Sequence, residues 1–296
     1  MASLAVRVLS GVLRPTRKRP VETVEGARRR IARAKADPAP PGWVVRRHGV
    51  TRRTVGGFSV YTVRPGRVAD PGRAVVYLHG GSYVGEIGPA HWALVSRLAD
   101  AGCRVEVPVY GLAPRHTYRE AFPFLTEVHR GLLDGLPPER TAFAGDSAGA
   151  GLALALAQSL PGAGLPLPAR LVLISPWVDA TLSHPSIPAV AEADPMLSPV
   201  SLLESARAWA GGDDLAHPRI SPVNGPMAGL PPTDLYIGTR DLFHGDVLRL
   251  HGALLAAGTR VRLDEAVGAI HVHPLTPTPE GRRARRRIAV SLRGSR

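Results

Sequence analysis

Of its 296 residues the chain devotes one to cysteine and two to lysine. A lone Cys103 cannot close an intrachain disulfide, and its apolar setting "GCRVEVPVY" reads as a small core residue in a reducing compartment. Both lysines, Lys18 and Lys35, lie in the first 35 residues, so no lysine-bearing phosphate loop is present. His271 and His273 stand two apart without a Cys pair or an H-E-x-x-H helix, which leaves no metal-binding pattern and implies no cofactor. No apolar run approaches the ~20 residues of a membrane-spanning helix. The opening "MASLAVRVLSGVLRPTRKRP" lacks the order of a secretory signal, because Arg7 interrupts the apolar stretch and the basic cluster follows it. A soluble, cytoplasmic protein is the expectation.

Acidic residues are also scarce, 24 against 37 Lys and Arg, for a net charge of +13. The excess is confined to the ends. Residues 1–53 hold 14 basic and 3 acidic side chains and residues 280–296 hold 7 and 1, while the middle, 54–279, holds 16 and 20. Solvated termini therefore explain the charge better than a nucleic-acid surface, and no nucleic-acid partner is expected. Leu4, Val8 and Val12, with Leu9 and Leu13, recur at helical spacing near the N-terminus. Such an amphipathic helix could lie on a membrane surface or cover the protein's own active site.

What is abundant is alternation. From about residue 54, strand-like runs ("FSVYTV", "RAVVYLH", "CRVEVPV", "TAFAG", "ARLVLIS", "TDLYIG", "TRVRLDEA") alternate with helical stretches ("AHWALVSRLADAG", "YREAFPFLTEVHRGLLDG", the run after Ser147, "HGDVLRLHGALLAAG", "PEGRRARRRIAVSL"). That order is the signature of an α/β fold, a largely parallel sheet covered on both faces. One long interruption, residues 180–232, is rich in Pro and Gly and contains the isolated helix "SPVSLLESARAWAGG". Insertions of that size are usually lids or specificity elements. Residues 1–45 and this insertion are read as a cap on a catalytic domain of residues 46–296.

The chemistry centres on "FAGDSAGAG". Gly145-Asp146-Ser147-Ala148-Gly149 stands where a strand becomes a helix, and its glycines remove the side chains that would clash in so abrupt a turn. Its alternative is a plain helix cap. A serine nucleophile needs a base and an acid, expected in the order Ser, acid, His. Asp241, in the loop after "LYIG", is the favoured acid; Asp246 falls at a helix start and Asp264 inside a strand. His271 and His273, after the last strand, are the candidate bases, with His271 favoured because it comes first after the turn at Gly268. For the oxyanion hole, Ala148 would give one backbone N–H, and Gly80 and Gly81 in "VVYLHGGSY" the others.

Together "HGGSY" at 79–83, "YGLAPRHTY" at 110–118, "GDSAG" at 145–149, "SPWVD" at 175–179, "GTRD" at 238–241 and "IHVH" at 270–273 resemble the hormone-sensitive-lipase-like group of α/β-hydrolases. The resemblance runs from about residue 73 to the C-terminus. It implies an eight-stranded, mostly parallel sheet under a helical cap, and hydrolysis of small carboxylic esters, of short or medium acyl chain, through an acyl-enzyme. Carried over by position, Ser147 is the nucleophile, Asp241 the acid, His271 the base, and Gly80, Gly81 and Ala148 the oxyanion donors. Two positions depart from the group: Ser82 stands where a third glycine is usual, and His273 where an aromatic residue is common. Amide, lactone or specialised-ester hydrolysis on the same triad, and a non-catalytic ligand-binding role, are the alternatives.

Overall fold

Runs of β-branched and aromatic residues form the sheet. The computed structural model describes residues 2–66 and 72–293. Its strands are β1 (Gly49–Val55), β2 (Phe58–Arg64), β3 (Ala74–Leu78), β4 (Arg104–Pro108), β5 (Thr141–Asp146), β6 (Arg170–Ile174), β7 (Thr233–Gly238) and β8 (Val261–Ala266). They join one eight-stranded sheet in the order β1-β2-β4-β3-β5-β6-β7-β8, antiparallel at β1/β2 and β2/β4 and parallel elsewhere. β3, β5 and β7 are buried along their whole length, as strands covered on both faces must be. β1 is the strand that the sequence pattern does not announce. It is an edge strand with Arg52 and Arg53 at its centre, and its residues are exposed or half-buried throughout.

The helices are α1 (Leu4–Leu13), α2 (Val24–Ala32), α3 (Gly42–Arg47), α4 (Pro89–Asp100), α5 (Tyr118–Leu133), α6 (Ala148–Ser159), α7 (Ile187–Ala193), α8 (Pro199–Ala210), α9 (His244–Ala256) and α10 (Pro279–Arg293). One core layer packs α5, α6 and α9 on the sheet through Leu125, Phe143, Leu154, Leu173 and Leu250. The opposite layer packs α4 and α10 through Val75, Tyr77, Val95, Leu98 and Ile288. Since β3 lies between β4 and β5, the chain leaves β3 toward one edge and resumes on the other side. The loops after β3 and β5 therefore diverge and leave a crevice at the strands' C-terminal ends.

The N-terminal helices pack against the insertion. Arg28 of α2 pairs with Glu204 of α8 at 2.9 Å, and Arg30 donates to Ser201 Oγ at 3.2 Å. α7 ends with carbonyls that no helical N–H can reach, and cations take them. Buried Lys18 donates to the carbonyls of Ala191 and Asp194, Arg14 to that of Glu192 at 2.6 Å, and Arg240, from the loop after β7, to that of Ala193 at 3.0 Å.

Candidate active site

At the β5–α6 junction Ser147 adopts φ 51° and ψ −121°, a conformation that non-glycine residues rarely hold and that costs on the order of 1–3 kcal/mol. Its neighbours are glycines because backbone crowds them. A Cβ on Gly145 would lie 2.8 Å from the Leu78 carbonyl oxygen, and one on Gly149 would lie 2.1 Å from it. Ser147 N–H donates to the Ile174 carbonyl at 2.8 Å, while its own carbonyl accepts from Gly151 and Trp177 at 3.1 and 3.0 Å. The turn is thus tied to both flanking elements.

His271 reaches the serine from the loop after β8. The loop turns at Gly268 (φ 75°) and is pinned by Val272 N–H donating to Ser175 Oγ at 2.9 Å. His271 Nε2 lies 3.0 Å from Ser147 Oγ, and its Nδ1 lies 3.0 and 2.9 Å from the two carboxylate oxygens of Asp241. Asp241 is fully buried and is held in turn by Phe243 N–H at 3.1 Å. A carboxylate at Nδ1 keeps the proton there, which leaves the Nε2 lone pair facing the serine hydroxyl. Burial alone would depress the imidazole pKa, but the charge and hydrogen bond of Asp241, with Asp194 and Asp146 behind it, raise it above the ordinary 6.5. If His271 acts as the base, it works only when neutral, so kcat/KM rises with pH through an apparent pKa above 6.5. Asp194→Asn removes one of those negative charges, and the pH–rate profile of that variant should show the limb moved to lower pH.

The rival residues point elsewhere. Asp246 is buried with neither carboxylate oxygen hydrogen-bonded, its pKa pushed up to about 7 by burial and by Asp179. Asp264 pairs with Arg287 at 2.6 Å. His273 lies in the turn beyond the site with Nδ1 unpartnered, and burial brings its pKa down to about 4.

The oxyanion loop requires one correction. Gly80, expected to donate to substrate, spends its N–H on Asp146 Oδ1 at 3.0 Å. A Cβ there would lie 2.3 Å from Asp146 Oδ2, so glycine is needed for closeness to the elbow. Asp146 also accepts from Tyr77 Oη at 2.5 Å, and its Oδ2 lies 3.4 Å from His91 Nε2. The carbonyls of this loop are anchored one by one. That of His79 accepts from Tyr110 Oη at 2.6 Å, that of Gly80 faces His79 Nδ1 at 2.7 Å, and that of Gly81 accepts from Gly85 N–H at 2.8 Å. Among the described residues the N–H groups of Gly81, Ser82 and Ala148 have no acceptor.

Two residues here escape sequence reading. Asp146 is the variable position of its motif, and nothing in the pattern marks it as the strut between elbow and loop. Asp194 lies in the Pro-rich insertion. Its fully buried carboxylate accepts from Met196 and Leu197 N–H at 2.7 and 3.0 Å and, through Oδ2, from Leu242 N–H at 2.8 Å, next to Asp241. Burial and the neighbouring Asp241 charge raise its pKa.

The model of a family with the α/β-hydrolase fold matches residues 75–275. An acetyl-hydrolase of Streptomyces hygroscopicus is 40% identical over 268 residues, 86% of this chain and 86% of that protein. EstE5, solved after soaking with p-nitrophenyl butyrate, superposes with a TM-score of 0.85 at 32% identity, covering 99% of this chain and 98% of its own. An esterase from the bacterial hormone-sensitive lipase family gives 0.83 at 29%, with coverage of 99% and 98%. With its switch-point crevice, its strained serine elbow and these relatives, the chain belongs to the α/β-hydrolase family, in its hormone-sensitive-lipase-like group.

Proposed function

We propose that the protein is a serine carboxylesterase that hydrolyses esters of short to medium acyl chain through an acyl-enzyme. The observation that carries this reading is the unbroken hydrogen-bonded line from Asp241 through His271 to Ser147 Oγ, beside uncommitted N–H groups. Ser147 attacks the ester carbonyl while His271 Nε2 takes its proton, and Asp241 stabilises the resulting imidazolium. Gly81 and Ala148 N–H receive the oxyanion, each worth ~3 kcal/mol of transition-state stabilisation. His271 returns the proton to the leaving alkoxide, and water repeats the sequence on the acyl-enzyme.

Chain length is read from the aromatic residues beside His271. Phe243 meets the imidazole edge-to-face at 5.3 Å, and Trp177, Tyr83 and Trp209 continue from it as a stack with centroids 5.9, 5.6 and 4.3 Å apart. All four rings are essentially buried. We take this buried aromatic wall beside His271 as the limit on acyl length, and an acetyl-hydrolase among the relatives supports the same reading. Residues 1–45 and 180–232 serve as the cap in this proposal, and the buried, free Cys103 suits the cytoplasm.

Hydrolysis of p-nitrophenyl esters from acetate to palmitate tests both parts. Turnover highest on the short chains and abolished in a folded Ser147→Ala variant is expected. Undiminished turnover by that variant would reject the nucleophile, and a maximum at palmitate would reject the chain-length reading.

A further inference from the structure

The face of α1 turned away from the protein is apolar. Leu4, Val8 and Val12, spaced one helical turn apart, are 71%, 62% and 55% exposed. They form a stripe, because residues four apart lie one above another on a helix. Val267, in the loop that leads to His271, is 66% exposed and lines, together with Ser3 and Arg283, a depression of about 500 Å³ beside the start of the helix.

This stripe cannot be hidden by a roll of the helix. Ser3 donates through both N–H and Oγ to the Glu280 carboxylate at 2.9 Å. Val6 and Ser10 are buried on the inner face, and Ser10 Oγ accepts from Arg240 at 3.3 Å. Beyond the other end, Arg14 and Lys18 grip the carbonyls that close α7. Both ends are thus fixed with the apolar face outward.

Charge selects what covers it. Arg7 borders the stripe and Arg19 follows it; both are exposed and form no ion pair among the described residues, whereas the Arg17 charge acts inward on Arg30 and His91. Of the carboxylates beside the start of the helix, Glu280 is engaged by Ser3, Asp264 by Arg287 and Glu265 by His244. A second copy docked through the same face about a two-fold axis would bring these arginines against their equivalents. An anionic lipid surface instead accepts the apolar stripe and neutralises the cations, the combination that holds interfacial helices. Among the described residues no helix is long and apolar enough to cross a membrane.

We infer that α1 is a docking face for an anionic lipid surface, lying in the plane of the interface with Leu4, Val8 and Val12 toward the acyl region and Arg7 and Arg19 toward the headgroups.

The test is co-sedimentation of the full chain with phosphatidylglycerol-containing and pure phosphatidylcholine vesicles, for the wild type, a Leu4→Ser/Val8→Ser/Val12→Ser variant and Arg7→Gln. The wild type should partition at least about tenfold more strongly onto the anionic vesicles, since each basic residue near such a surface contributes roughly fivefold. The triple variant should lose most of that binding while hydrolysing soluble p-nitrophenyl acetate like the wild type, which certifies its fold. Arg7→Gln should lose about fivefold on anionic vesicles only. Equal or absent partitioning of the wild type, or undiminished binding by the triple variant, would overturn the inference. So would a wild-type dimer in light scattering that the triple variant dissolves, because the face would then join two copies of the chain.

Discussion

His271→Ala should lower kcat on p-nitrophenyl acetate by on the order of 10⁶-fold, while His273→Ala keeps most of the activity. The two histidines are one residue apart from being neighbours, yet the backbone turns between them: Val272 holds φ 47°, a left-handed conformation pinned by its N–H on Ser175 Oγ. That turn sends the His271 ring to Ser147 and the His273 ring into the packing behind the site. Their environments separate them further. The Asp241 charge raises the His271 pKa against the effect of burial, whereas burial dominates at His273 and brings its pKa down to about 4. A buried neutral imidazole with an unpartnered Nδ1 is a packing residue, so His273→Ala should register in the thermal melt before it registers in turnover. Steady-state kinetics beside fluorophosphonate labelling distinguishes the cases. Loss of labelling in His273→Ala with retention in His271→Ala would exchange their roles.

Gly149→Ala should be worse tolerated than any other single methyl addition discussed above. The new Cβ would lie 2.1 Å from the Leu78 carbonyl oxygen and 2.4 Å from that of His79, both backbone atoms at the end of β3. No rotamer relieves the clash. Either α6 backs away from the sheet or β3 shifts against β5, where Leu78 faces Gly145 in the ladder. The expected cost is about 4 kcal/mol or more, near the whole stability of many domains, and the readout is soluble yield and thermal melting. Gly131→Ala in α5 is the control, because a Cβ there meets nothing within 4 Å. It should stabilise by ~0.5–1 kcal/mol through helix propensity alone. A Gly149→Ala protein that melts like the wild type would refute the packing argument for the elbow.

How far the sequence alone leads depends on the kind of signal each residue leaves. Strands β2 to β8 follow from apolar runs between turn residues, and the elbow from two glycines flanking a serine. Gly80 shows the limit of motif reading. Its identity in "HGG" is legible, but its N–H is committed to Asp146 by a close approach that only three dimensions reveal. β1 is hidden because an edge strand facing solvent carries arginines where a central one carries valines. Asp194 and α7 lie in a segment with no periodicity, where a carboxylate that serves backbone N–H groups looks like any other turn residue.

The bonds that fasten the N-terminal segment to the rest of the protein span the chain. Lys18 meets Asp194 across 176 residues, Arg28 meets Glu204 across 176, Arg240 meets Ser10 across 230, and Ser3 meets Glu280 across 277. A chain emerging from the ribosome cannot make any of them until most of the protein has been translated, and such long loops close slowly. The strand-helix-strand units can assemble from nearby residues in the meantime. Translation order thus makes the segment emitted first one of the last to settle, its final anchor on Glu280 waiting until every strand of the sheet has been made.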